Sequence, residues 1–369
     1  MIGGRGMAEP VLEFAQDIDL KVVTPLFLGS ATQSKAELRP PSIKGVMRFW
    51  HRATGPEGLE TEAALFGSSG KAASGQAPFL IRMDTAMLSG QTLDHVKAPL
   101  AYLGYGAINK GQSRPFIPPG TDIKLKLVFK PSASSDVKDG VLRSLRLMNY
   151  FGGLGARSRR GWGSVVFADD LPTDFDDLVS RLQDEVAALN IPQSREARYT
   201  SFSGESRVVA LPAGKSWEEA LSTVGQQMMM LRNPKTSPPD YPWAIRDVRM
   251  VSGYVKNGAA EQAPYRAMFG LPHNYFFGTT KDKVNIEGAN KDFSRRASPL
   301  FIHVHLLQNG QYAVVLTFLP APLLPAGQKI SMGTQKQRTI TVSLPTSWGA
   351  VEGFLDHIAG QPGAKEVLI

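Results

Sequence analysis

The sequence predicts an α+β fold of antiparallel sheets and covering helices, divided into parts 1–170 and 171–369. Three observations carry this. Residues 121–129, TDIKLKLVF, alternate strictly, with Ile123, Leu125, Leu127 and Phe129 on one face, the period-2 pattern of a half-buried strand. Residues 42–53 place Ile43, Val46, Met47, Trp50 and Ala53 on one side of a helical turn and basic residues on the other. Near residue 170 the composition shifts to DDLPTDFDD, five aspartates within residues 169–177, which reads as a domain edge with Asp at a helix N-terminus, where the dipole favours negative charge.

In order along the chain, residues 18–28, IDLKVVTPLFL, read as a strand that stops at Gly29. The amphipathic helix 42–53 follows, with Ser42 as its N-cap and Pro40 and Pro41 holding the preceding chain extended. Residues 59–66 form a second short helix ended by Gly67, and residues 67–78 a loop of small residues. Residues 78–84 and 121–129 are strands, 137–151 a helix and 161–167 a returning strand. The order is β-α-β-β-α-β, the ferredoxin-like or split-βαβ arrangement. The second part is less regular. Ser216 and Glu219 form a capping box that opens a helix to Leu231, residues 233–247 read as a Pro-rich extended loop, and residues 278–292 as a polar loop. Strands are expected at 300–307, 311–319 and 337–344, and a closing helix from Trp348 to Ala359 with Ser347 as cap. This half reads as a second, decorated copy of the same unit.

Composition bounds the function. With 369 residues, 42% hydrophobic and 20% charged, the chain has material for sizeable cores. Its net charge of +8 favours an anionic partner such as nucleic acid. The absence of cysteine excludes disulfides, thiolate catalysis and cysteine-ligated zinc. No run reaches the apolar length of a membrane span, so a soluble, cytoplasmic protein with no membrane partner is the expectation.

Two basic clusters stand out. Lys44, Arg48 and Arg52 are spaced four apart on the outer face of the first helix, His51 beside them, with no acidic residue on that helix. Like charges at i,i+4 are unfavourable by a few tenths of a kcal/mol, so either the face is simply solvated or something compensates it. The second cluster is GGLGARSRRGWG at 152–163: between Gly140 and Ala168 there are five arginines, including Arg157, Arg159 and Arg160, and no acid. Glycines allow close backbone approach, and exposed amides flanked by guanidinium groups suit phosphates. Trp162 offers either a stacking face for a base or a buried anchor. A third basic site is Arg295 and Arg296, before a strand. The loop is not a dinucleotide fingerprint, since its last position is Ser158 and it follows a helix. His303 and His305 share one face of a strand, but no third ligand completes a metal site, and no metal or cofactor is expected. His51 could serve as general base in metal-independent RNA cleavage, which gives the competing reading of an endoribonuclease that processes guide RNA.

Residues 24–29, TPLFLG, then 36–45, AELRPPSIKG, running into Arg48-Phe-Trp-His-Arg52, resemble the opening of the RAMP superfamily of CRISPR proteins, and more specifically the first-numbered RAMP subunit of the type III-B (Cmr) effector complex. Leu65-Phe-Gly-Ser68, the 152–163 loop and residues 295–300, RRASPL, occur in matching order. The resemblance is dense over 18–168 and sparse beyond, except around 264–307. It implies two fused ferredoxin-like, RRM-type modules with loop insertions, and a noncatalytic RNA-binding role in a ribonucleoprotein used in antiviral defence. There the subunit would bind guide and target RNA near the guide 3′ end, beside other RAMP subunits and a small helical subunit. Carried onto this chain, it makes Lys44, Arg48, Arg52 and the loop arginines Arg157, Arg159 and Arg160 basic-groove residues; with His51, Trp162, Arg295 and Arg296 they form the expected RNA-binding set, the helix face and loop bordering one groove. The stacking aromatics of an RRM sheet are not identifiable, and neither a GGDD palm motif nor an adjacent His-Asp pair is present.

Overall fold

The computed structural model describes residues 14–30, 34–69, 75–83, 90–278, 280–336 and 338–369. Strands β1 (Ala15–Val22), β2 (Phe79–Met83), β3 (Asp122–Phe129) and β4 (Val165–Phe167) form one antiparallel sheet in the order β2-β3-β1-β4. Its register sets Leu20 opposite Ile123 and Ile18 opposite Leu125, which aligns the alternating apolar faces. Helices α1 (Pro40–Ala53), α2 (Pro56–Phe66) and α3 (Ser135–Phe151) lie on that face, where Ile43, Met47, Trp50, Val141, Leu145 and Met148 are buried.

The first strand ends at Val22 rather than residue 28, because Pro25 has no N–H to give to a ladder; Val23 N instead donates to Ser164 O at 2.8 Å. The expected strand 161–167 is confined to its last three residues, since Gly161 and Gly163 take φ of 81° and 70°. α1 starts two residues before Ser42. Arg39 is its N-cap without a side-chain bond, and Pro40 and Pro41 occupy the first turn, where a missing N–H costs nothing. Residue 84, the expected end of the second strand, and residues 70–74 of the small-residue loop lie outside the described residues.

In the second half, α4 (Phe175–Ala187) is opened by Asp174, whose carboxylate accepts from Asp177 N at 2.9 Å, so the aspartate run is a capped helix start as expected. Then come β5 (Arg207–Pro212), α5 (Trp217–Arg232), α6 (Trp243–Asn257), β6 (His273–Phe277), β7 (Asp282–Gly288), β8 (Leu300–Leu306), β9 (Tyr312–Phe318), β10 (Ile330–Gly333), β11 (Ile340–Val342), α7 (Gly349–Ala359) and β12 (Lys365–Val367). A second antiparallel sheet has the order β8-β9-β5-β12, and a third the order β6-β7-β10-β11. Two expectations are overturned. The Pro-rich stretch 233–247 runs into α6, which starts once Pro242 has passed. The polar loop 278–292 contains β7, whose Val284 and Ile286 alternate inward among Lys283, Asn285 and Glu287.

The second sheet is covered on both faces. Val208, Ala210, Ala313, Val315 and Phe301 pack with α1, α3 and α4, while Val209, Leu211, Val314, Leu316 and Ile302 pack with α5 and α7. The layers therefore run sheet, helices, sheet, helices. Near-continuous burial along β8 and β9 follows from this position, as it does for any strand with no wet face. Residues from both sides of position 170 share both cores, α4 of the second half packing in the first.

β8 also carries His303 and His305, which close the C-terminal end of α3. His305 Nε2 donates to Tyr150 O at 3.1 Å, and His303 Nδ1 donates to Gly152 O, so both rings satisfy carbonyls that the helix leaves open. They are helix anchors, and among the described residues no cluster of metal-ligating side chains occurs. Burial holds His303 well below its ordinary range and His305 at about 4, so both are neutral at pH 7. A histidine buried neutral binds a proton only in the unfolded chain between the two pKa values, so stability falls as pH drops below 6.5. Between pH 7 and 5, His305 alone should remove about 2 kcal/mol from the unfolding free energy. Denaturant midpoints at constant m-value test this; His305→Gln should flatten the dependence, and an unchanged pH profile would contradict it.

Candidate nucleic-acid interface

The outer stripe of α1 is not uncompensated. Glu62, from the facing side of α2, accepts from Arg48 Nε and from Arg52 Nη1 at 3.2 Å through each oxygen. Arg48 Nη2 also donates to Gly67 O at 3.1 Å. One carboxylate, only 11% exposed, thus bridges two guanidinium groups that each remain more than a third exposed. Lys44 lies 5.1 Å from the centre of the Phe79 ring, with its pKa lowered by burial and by Arg48. The face keeps a net positive charge, but the acid it lacks in its own helix arrives ten residues beyond Arg52.

His51 does not belong to that surface. It is 1% exposed, and its Nε2 lies 2.9 Å from Thr61 Oγ1. Thr61 spends its own proton on Glu57 O at 2.7 Å, so the imidazole is the donor and its N–H sits on Nε2. Its pKa is pushed down to about 4 by burial and by Arg143, against the pull of Glu62. A buried ring already engaged in a hydrogen bond is poorly placed to take a proton from RNA.

The 152–163 loop is the seam between the two halves. A side chain at Gly152 would run into the Trp50 indole, and one at Gly155 would meet Phe27 O at 2.5 Å, with φ of +78° besides. The amides of Leu154, Ala156 and Gly163 donate to Gly163 O, Phe27 O and Pro25 O at 2.8, 2.8 and 3.0 Å. These glycines therefore serve backbone packing, and the amides expected to face a phosphate are taken by the chain itself. Trp162 is fully buried between Phe27 and Trp217, so its face is closed to a base.

The loop's arginines fan out in three directions. Arg159 turns toward α1: its guanidinium lies 5.2 Å from the Phe49 ring and 4.4 Å from Phe301, and it donates to Ser298 O. Arg157, at φ 65°, reaches the surface beside Tyr105, Arg114 and Arg295, partial desolvation of its guanidinium and then Arg295 lowering its pKa. Arg160 turns the other way, into the second half, where Nη1 meets Met228 Sδ at 3.1 Å and Nη2 donates to Phe269 O at 3.4 Å. Arg296 donates to Thr200 Oγ1 at 3.0 Å and lowers the pKa of Arg159, burial being the larger cause.

Arg159 thus packs on Phe49 of α1, while Arg157 lies within electrostatic reach of Arg295 and Arg114. Phe49, which carries Arg159, adjoins Arg48 in α1; Thr200 adjoins Tyr199, which lies within electrostatic reach of Arg195 and Arg52. Pairwise proximities link Lys44 with Arg48, Arg52 and Arg195 through Tyr199, Arg296 with Arg159, and Arg157 with Arg295 and Arg114, an arc of basic neighbours. Arg160 and the buried His51 and Trp162 lie off it. Among the described residues, Arg114, Arg157, Arg159, Arg295 and Arg296 have no carboxylate within 4.0 Å. Sequence reasoning missed Glu62, although it sits in a helix expected at 59–66. It also missed Arg114 and Arg195, which stand in loops with no local signal. Arg195 Nη1 donates to Thr54 O at 3.0 Å, placing a cation at the C-terminal end of α1.

A family model described as the RAMP superfamily matches residues 19–166. The chain is similar to the CRISPR system Cmr subunit Cmr1-1 of Pyrococcus furiosus, at 24% identity over 331 residues that cover 85% of this chain and 89% of the relative. The crystal structure of Cmr1 from Pyrococcus furiosus in its apo form superposes with a TM-score of 0.54 at 21% identity, covering 96% of this chain and 98% of that one, and shows the shared fold.

Because Glu62 answers for two arginines, Glu62→Gln should destabilise the protein by about 1–3 kcal/mol, the exposure of the guanidinium groups keeping the loss below that of a fully buried pair. Urea unfolding of Glu62→Gln, Arg52→Gln and the double variant measures the coupling; strict additivity would show that the bridge contributes nothing.

Proposed function

We propose, from the premise that residues 19–166 carry the RAMP-superfamily match and that the whole chain resembles Cmr1, that this protein is a noncatalytic RNA-binding subunit of a type III-B CRISPR ribonucleoprotein. It holds guide and target RNA near the guide 3′ end, in antiviral RNA-guided defence in the cytoplasm, beside other RAMP subunits and a small helical subunit. The observation that carries the reading is the arc of five arginines without acidic partners, continuous with the outer face of α1. Unpaired guanidinium groups on one face suit phosphates spaced along a strand, and each contact would release counterions. The strand order supports the fold expected of such a subunit. Taken in chain order, each of the two main sheets reads second-third-first-fourth with helices crossing between, the order of a ferredoxin-like unit, which supports reading 1–170 and 171–369 as two such modules with the third sheet inserted in the second.

RNA tracks the arc rather than a sheet face. The second sheet has both faces covered, and the outer face of the first presents Asp17, Lys21, Arg82, Lys124 and Lys126 without an aromatic platform. Base sequence is then read by guide–target pairing, and this chain supplies position. The burial of His51 is why the endoribonuclease reading is set aside. No helix among the described residues is long and apolar enough to cross a membrane.

The test is RNA affinity against salt. Arg157→Gln and Arg295→Gln remove surface cations without a carboxylate partner, and each should flatten the log–log slope by about 0.7 for a single strand. Slopes equal to wild type in the double variant would remove the arc from RNA binding. Cleavage of repeat RNA in EDTA by the wild type, lost in His51→Ala, would restore the enzyme reading.

A further inference from the structure

A second concentration of positive charge lies away from the arc. A cavity of about 390 Å³ beside α6 is lined by Arg232, Arg266, Asp247, Tyr241, Tyr275 and Phe276, among others. Arg232 donates to the Tyr102 hydroxyl and lies 4.5 Å from the Phe269 ring; Arg266 lies 5.2 Å from the Tyr275 ring. Arg160, the loop arginine that turned away from α1, approaches from behind, bonding Phe269 O. Three half-buried guanidinium groups therefore gather around one aromatic cluster, each within electrostatic reach of the others.

Tyr102 and Tyr275 hold Arg266 and raise its pKa against burial, and Asp247 is within electrostatic reach of it, but no carboxylate pairs directly with any of the three among the described residues. Asp247 is the carboxylate at this site, and its oxygens are consumed by Tyr265 N at 2.7 Å, Arg266 N at 2.9 Å and the Tyr275 hydroxyl at 2.9 Å. None of the three arginines has a carboxylate within 4.0 Å among the described residues. Arg232 Nε and Nη2, Arg266 Nε and His273 Nε2 are buried without a hydrogen-bond partner there. Burial, with Arg232 the next cause, brings Arg160 down to about 10. Burial, with the same arginines, also holds His273 well below its ordinary range. A desolvated cluster of cations with idle N–H groups calls for an anion with several acceptor oxygens, and a planar guanidinium fork matches phosphate best. Phe276 is 66% exposed at the mouth, and with Trp243 and Tyr241 it offers flat apolar walls for a ring attached to that phosphate.

We propose that this cavity binds a nucleotide phosphate, Arg232 and Arg266 gripping the phosphate from the wall, Arg160 supplying charge behind them, and the base lying against Phe276. The site does not rest on the RNA arc: no residue of α1 lines it, and Arg160 faces away from Arg159. The phosphate could come with a free nucleotide or with the end of an RNA strand, and the experiment separates the two.

Calorimetric titration of the full chain with AMP, inorganic pyrophosphate, and an RNA oligomer with and without a terminal 5′ phosphate tests it. Saturable AMP binding is expected, weakened tenfold or more in Arg232→Gln and in Arg266→Gln. Phe276→Ala should weaken AMP at least fivefold and leave pyrophosphate within twofold; its side chain is exposed, so this variant decides the matter even if an arginine variant fails to fold. Tighter binding of the phosphorylated oligomer than of its hydroxyl twin assigns the RNA end, and binding of AMP alone assigns a free nucleotide. No saturable binding of AMP or of phosphorylated RNA, or an AMP affinity unmoved by Phe276→Ala, overturns the proposal.

Discussion

The fold depends on how tightly the turn at 152–164 is wedged between the two halves. Thr24 Oγ1 donates to Gly161 O at 2.7 Å and accepts from Ser164 N at 2.9 Å; Ser164 Oγ in turn accepts from Val304 N at 3.0 Å. His303 and His305 hold the end of α3 from the same strand, and Gly152 lets the Trp50 indole approach the backbone. All these groups are buried, so every polar atom left without its partner would carry the full cost of desolvation. The turn has little freedom to be anything else, and its direction fixes where three arginines can go.

Electrostatics follows from that geometry. A turn of three residues, Ser158–Arg160, sends Arg159 onto Phe49 and Phe301 and Arg160 into the insertion side of the second half, while Arg157 remains at the surface. The basic loop thus sends its arginines to separate surroundings: Arg159 onto the aromatic rings beside α1, and Arg160 toward Met228 and Phe269. Stacking on aromatic rings orients the guanidinium groups without neutralising them, which keeps their charge available to a ligand.

The same balance explains α1. Its basic stripe is tolerable because Glu62 reaches across from α2. With two guanidinium groups on one carboxylate, the bridge aligns Arg48 and Arg52 and leaves the three groups with a net positive charge.

Local pattern was enough for the presence of the main elements of the first half, though not all their ends, and for two helices of the second. Strict alternation marked β3, the spacing of Ile43, Met47 and Trp50 marked α1, and the aspartate run at 169–177 and Ser216 announced helix starts. These are short-range effects of side-chain period and backbone hydrogen bonding, and they are written in neighbouring residues. The net positive charge and the acid-free run around the glycine-rich loop likewise pointed to an anion. What the chain order could not supply was distance between residues far apart in it. Whether Trp162 stacks on a base or anchors a core, whether His51 faces solvent, which carboxylate answers Arg48, and that Arg159 and Arg160 part company all depend on which surfaces meet when two sheets and their helices close on one turn. β7 shows the same limit at small scale: two inward residues among polar neighbours become a strand only because β6 and β10 flank them. Hydrogen bonds and ion pairs between distant segments exist only once packing has excluded water between them, and that exclusion is a property of the assembled structure.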